Sequence, residues 1–84
     1  MSISAVNRDP RVDDVKISDE RLEVTLRDGR RVSAPLAWFP RLQTATPAER
    51  AVWEICAGGY GIHWPKIDED LSVDGLLMGA QGLG

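Results

Sequence analysis

Cysteine is almost absent from this chain: Cys56 stands alone among 84 residues. No disulfide framework therefore supports the fold. No apolar run approaches the roughly 20 residues of a membrane-spanning helix. The opening residues carry no apolar stretch of the kind that directs secretion. A single cysteine without such a signal points to a reducing, cytoplasmic setting. A basic face is missing too. The formal net charge is −3, which argues against direct nucleic-acid binding. No phosphate-binding glycine loop is complete, since neither the Gly-rich run before Lys-Ser/Thr nor the dinucleotide spacing occurs.

What is present fits one small folded domain. Apolar residues make up 43% and charged residues 27%, ordinary for a globular chain. A chain this short buries only about 60–65% of its unfolded surface, so its core is thin. Self-association or a permanent partner would compensate. The charge is uneven. Residues 1–35 hold seven basic and seven acidic groups, and residues 36–65 hold two of each. Residues 66–84 hold Lys66 against Asp68, Glu69, Asp70 and Asp74. The whole acidic excess lies in this last segment, which favours a basic partner or a cation.

Residues 1–10 read as a polar leader, residues 11–79 as the domain, and residues 80–84 as a loose tail. Val12, Val15 and Ile17 are apolar among charges, and Leu22, Val24 and Leu26 alternate strictly with polar residues. That period of two marks strands. Asp19-Glu20 forms a short turn between them. Asp28-Gly29 predicts a hairpin of type I′, because both residues tolerate positive φ. Arg31 to Ala34 forms the third strand of an antiparallel meander, ended by Pro35. Leu36 to Pro40 leads off the sheet into a short helix at residues 40–44. Thr46-Pro47-Ala48-Glu49 is a helix start with a capping box and proline at the first helical position.

Residues 53–57 fit helix and strand spacing alike. The reading adopted is a helix from Pro47 to about Val52, then a hairpin across Gly58 and Gly59, because β-branched and aromatic residues flank the glycines. Residues 71–78 read as a terminal turn or helix, with Leu71, Leu76 and Leu77 covering the core. The fold class is α+β: a β-meander plus a hairpin, with short helices on one face.

Special residues concentrate in residues 58–79. His63 is the only imidazole, a candidate general base or ligand. With Ile62 and Trp64 facing the core, His63 faces outward. Asp68, Glu69 and Asp70 are oxygen donors that suit a hard cation, with Asp68 and Asp70 the weak metal candidates. Against this, a solvated acidic turn capping the next helix explains the same run, with Asp70, Ser72 or Asp74 as cap. Gly58, Gly59 and Gly61 serve hairpin geometry. Trp38 and Tyr60 sit beside turns and are the aromatics best placed as interface anchors. Cys56 has no partner at catalytic spacing and reads as a small buried residue.

Taken together, Leu36-Ala37-Trp38-Phe39-Pro40-Arg41-Leu42, Ala45-Thr46-Pro47-Ala48-Glu49-Arg50, Gly59-Tyr60-Gly61-Ile62-His63-Trp64-Pro65, Asp68-Glu69-Asp70-Leu71-Ser72-Val73 and Gly75-Leu76-Leu77 resemble the bacterial family called domain of unknown function 2442. The resemblance spans roughly residues 12–79. It implies a small α+β domain, in some members fused to a helix-turn-helix domain for which this chain has no room. It also implies a gene neighbour of the domain of unknown function 4160 family, in a layout like a toxin–antitoxin pair. It carries no catalytic residues.

The function expected is a non-enzymatic protein-binding module without cofactor. The partner would be a small basic protein, toxin-like as the resemblance implies, docked on Trp38, Tyr60, His63, Asp68, Glu69 and Asp70. A homo-oligomer is compatible with this. The alternatives are a metal-dependent or acid–base module using His63 with Asp68, Glu69 and Asp70, and a component of a transcription regulator.

Overall fold

The computed structural model describes residues 8–78. The first three strands are β1 (Val12–Ile17), β2 (Arg21–Leu26) and β3 (Arg31–Pro35). They form an antiparallel sheet in the order β1-β2-β3. The apolar side chains of all three strands face one side. Val12 and Val15 are three positions apart, yet both are buried. A register shift between Val12 and Asp14 inserts Asp13 as a bulge. The bulge returns Val12 to the inner face, which a regular period of two would not do.

The β2–β3 connection departs from type I′. Gly29 takes φ +93, but Asp28 does not share the positive φ that type I′ demands of both residues. The Gly29 N–H donates to the Leu26 carbonyl at 3.0 Å, and Leu26 N–H donates to Arg30 at 2.8 Å. This closes a three-residue loop with glycine in the left-handed position. Asp28 is free to act as a hub instead. Its carboxylate accepts the Asp9 N–H at 2.9 Å and pairs with the Arg30 guanidinium at 2.9 Å. The hydrogen bond from Arg30 chiefly holds the Asp28 carboxyl down at about 2. Asp9, at the end of the expected leader, is thereby tied to the domain.

A 3-10 turn (Leu36–Trp38) leads into α1 (Pro40–Thr44) and α2 (Pro47–Arg50). The capping box is complete: the Thr46 hydroxyl accepts the Glu49 N–H at 3.1 Å, and Glu49 accepts the Thr46 N–H at 2.9 Å. The helix ends at Arg50 rather than Val52. Arg50 turns back, and its guanidinium donates to the Leu42 carbonyl at 2.8 Å and the Gln43 carbonyl at 2.9 Å. One cation thus closes the carbonyl end of α1.

The second sheet resolves the ambiguity at residues 53–57 in favour of a strand. It contains β4 (Glu54–Cys56), β5 (Gly61–Trp64) and β6 (Glu69–Ser72), in the order β4-β5-β6. The expected hairpin spans the turn Ala57–Gly59. Gly59 has φ +103, and a Cβ there would lie 2.8 Å from the Arg11 side chain, so glycine is required twice over.

Residues 71–78 are not one terminal turn or helix. Leu71 lies in β6, and α3 (Val73–Met78) follows directly. Ser72 caps it, accepting the Gly75 N–H at 3.0 Å. Val73 and Leu76 are buried, whereas Leu77 is 44% exposed and does not cover the core. The helix spends its narrow apolar stripe on Val73 and Leu76, which leaves Leu77 on the far side. The expected tail at residues 80–84 lies outside the described residues.

The core joins the two sheets through Val12, Leu22, Val24, Leu26, Leu36, Leu42, Ile62, Trp64 and Val73. Trp64 is fully buried. Its indole N–H donates to the Arg50 carbonyl at 3.2 Å, which meets the requirement that a buried indole find an acceptor. The architecture is therefore a small α+β domain, as the sequence pattern implied.

Candidate functional site

The outer face of the second sheet carries the most organised set of ionisable groups. Strand register places Glu54 opposite His63, and His63 opposite Asp70. Directly opposed residues share a face, so three strands contribute one row: Glu54, His63, Asp70. Ile55, Ile62 and Leu71 form the adjacent row on the inner face. His63 lies between the buried Ile62 and Trp64 and points outward, as expected.

His63 Nδ1 lies 2.6 Å from Asp70 Oδ1. The imidazole side chain is 29% exposed and the carboxylate 71%. The hydrogen bond to Asp70 is the main reason the His63 pKa is raised above its ordinary value. Partial burial opposes this, and the charges of Asp70, Glu54 and Asp68 add to it. Each carboxylate favours the imidazolium over the neutral ring. Among the described residues nothing hydrogen-bonds Nε2, which leaves one ring nitrogen open.

The acidic run is divided by the strand pleat. Asp68 is exposed in the turn before β6, with φ +53. Glu69 is opposite Trp64 and belongs to the other face. Asp70 joins His63. None of the three caps α3, because Ser72 does that. Arg41 of α1 holds the turn, donating to the Ile67 carbonyl at 3.3 Å and the Asp68 carbonyl at 3.0 Å. Among the described residues no three His, Cys, Asp or Glu side chains gather as a metal site.

Cys56 is opposite Gly61, which is opposite Ser72, so it lies one row along from His63 on the same outer face. It is partly exposed, not a buried core residue. A Cβ at Gly61 would meet its Sγ at 2.9 Å, so the missing side chain makes room for the thiol. Among the described residues no hydrogen bond links Cys56 to His63.

Trp38 is 42% and Tyr60 47% exposed. Tyr60 immediately precedes β5, and its carbonyl accepts the Val73 N–H at 2.9 Å. Trp38 ends the 3-10 turn that follows β3. Among the described residues no hydrogen bond or ion pair draws either aromatic to the His63–Asp70 pair. Of the six candidate residues, the fold brings together His63 and Asp70, with Asp68 at the turn that leads into β6. Glu54 was missed in the sequence, and register alone places it there.

The family described as "Protein of unknown function (DUF2442)" matches residues 12–82. The chain belongs to this family. A solved structure from Rhodospirillum rubrum, a crystal structure of a protein of unknown function, is similar to this DUF2442 domain. The two share 32% identity and a TM-score of 0.71, over 87% of this chain and 89% of the other. No curated protein matches the chain. Among the described residues no helix is long and apolar enough to cross a membrane.

Proposed function

We propose that this DUF2442 domain is a non-enzymatic module that binds a small basic protein through the outer face of its second sheet. The Glu54–His63–Asp70 row carries the reading, since it sets two carboxylates and one titrating imidazole on one open sheet face. Asp68 extends the acidic field at the turn. A basic surface would be steered onto this face and held in register by it. Neutral His63 leaves both carboxylates uncompensated, so binding strengthens as pH rises through its raised pKa. Tyr60 and Trp38 supply exposed aromatic area for a partner large enough to reach them. An antitoxin-like role, in which occlusion of the partner replaces chemistry, is the specific form of this reading that the family resemblance favours.

The test is affinity capture by the tagged chain from its host's lysate, with Asp68→Lys/Asp70→Lys as control. A small basic protein held by the wild type and lost from the control is the expected result. Equal retention by both, or an empty capture, rejects the reading.

The His63–Asp70 contact also favours a second reading, in which Asp70 orients His63 as a general base. Such a base needs a substrate cavity. Two open grooves beside β1 are lined by other residues, and neither serves His63 or Asp70. Binding is therefore the preferred reading.

A further inference from the structure

Among the described residues the outer edge of β1 faces no strand. Ser18 N–H donates to the Arg21 carbonyl at 2.9 Å, which makes that pair a hydrogen-bonded one. Antiparallel pairs alternate. Lys16 opposite Glu23 is therefore hydrogen-bonded to β2, whereas Val15 and Ile17 direct their N–H and C=O groups away from it. Among the described residues nothing accepts or donates at this edge. Beside it runs an open groove of about 400 Å³, lined by Val15, Ile17, Pro47, Arg50, Ala51 and Trp53 among others.

We infer that this edge is an interface with a second copy of the chain, joined β1 to β1 in antiparallel order. Charge selects both the occupant and the register. Opposed residues share a face, so a two-fold axis normal to the sheet must run between one residue and the same residue of the second copy, level with both. Centred on Asp14 or on Lys16, it sets like charges against each other. Centred on Val15, it sets Asp14 of each copy opposite Lys16 of the other, twice. Neither residue has an ion pair of its own among the described residues. In that register the two Val15 residues exchange both of their free backbone hydrogen bonds.

The axis keeps each inner face on the same side. The second copy's Val15 thus projects toward the side of the groove walled by Pro47, Ala51 and Trp53. Bulges and lysines commonly protect sheet edges from open-ended pairing. Here the Asp13 bulge ends the free edge, and of the registers open to it the one centred on Val15 pairs Asp14 and Lys16 with opposite charge. An isologous pair closes on itself and uses the β1 edge of both copies at once.

The contact is short, so the dimer is weak. Sedimentation equilibrium of the full chain from about 10 µM to 1 mM covers the range in which such small interfaces associate. The wild type is expected to dimerise. Lys16→Asp and Asp14→Lys should each weaken the dimer about tenfold, since both facing pairs become repulsive. Asp14→Lys/Lys16→Asp should recover it. Amide exchange at Val15 and Ile17 should slow as wild-type concentration rises. The inference is overturned by a monomer at every concentration, by a dimer indifferent to the single reversals, or by a double variant as weak as the singles. It is also overturned if the Val15 and Ile17 amides become protected only when a different protein is added.

Discussion

Arg50→Met tests how the two short helices are held onto the sheets. The Arg50 side chain is 11% exposed. It makes two charge-assisted hydrogen bonds, to the carbonyls of Leu42 and Gln43. Bonds of this kind contribute about 1.5–3 kcal/mol each when desolvated. Methionine keeps the apolar stem and the backbone carbonyl that receives the Trp64 indole, so only the guanidinium is removed. Gln43 is exposed, and water recovers part of the loss at its carbonyl. The expected cost is about 2–3 kcal/mol, which lowers the melting temperature by about 10–20 °C in a domain of this size. The ion pair with Asp19 is a poor alternative explanation. Its distance is 3.6 Å and Asp19 is 95% exposed, and such surface pairs are worth less than about 1 kcal/mol. Thermal unfolding of Arg50→Met and Asp19→Ala, followed by circular dichroism, separates the two. A melting temperature for Arg50→Met within about 3 °C of wild type would refute the argument. So would an Asp19→Ala cost as large as that of Arg50→Met.

Two further outcomes are expected. Gly59→Ala should cost about 2 kcal/mol or more, from left-handed strain plus contact with Arg11, whereas Gly58→Ala, with φ +68 and open space around it, should cost about 1 kcal/mol; equal losses in chemical denaturation would show that the Arg11 contact is irrelevant. His63 has a raised folded-state pKa, so its contribution is fully present below the unfolded value of about 6.5 and is lost as pH rises through the raised value. The melting-temperature gap between wild type and His63→Gln should therefore be wider at acidic than at alkaline pH, and a gap that is flat or widens with pH would contradict the His63–Asp70 assignment.

Much of the fold was legible in local chemistry. The β1–β2–β3 meander followed from the strict alternation in β2, the apolar residues set among charges in β1, and the Asp28-Gly29 turn signal. The start of α2 followed from Thr46, Pro47 and Glu49. The outward aim of His63 followed from its two apolar neighbours. The strand β6 was missed because Asp68, Glu69 and Asp70 resemble a solvated turn. A signal was nevertheless present: Leu71 and Val73 alternate with Asp70 and Ser72, and a four-residue turn at 65–68 folds position 70 back onto 63. The Asp28-Gly29 turn was misassigned because the dipeptide permits type I′ without requiring it. The Asp28 carboxylate, engaged with Asp9 and Arg30, belongs instead to the longer loop.

Sequence alone determined the strands β1, β2, β3 and β5 and the cap of α2, because those preferences act over neighbours two to four positions apart. Tertiary structure decided which side chains meet. Glu54, His63 and Asp70 are nine and seven residues apart and become a row only through the pairing of three strands. Arg50 reaches the carbonyls of Leu42 and Gln43 only because α2 ends where it does, above Trp64. Register and edge exposure are properties of paired strands, and a single strand's pattern does not contain them.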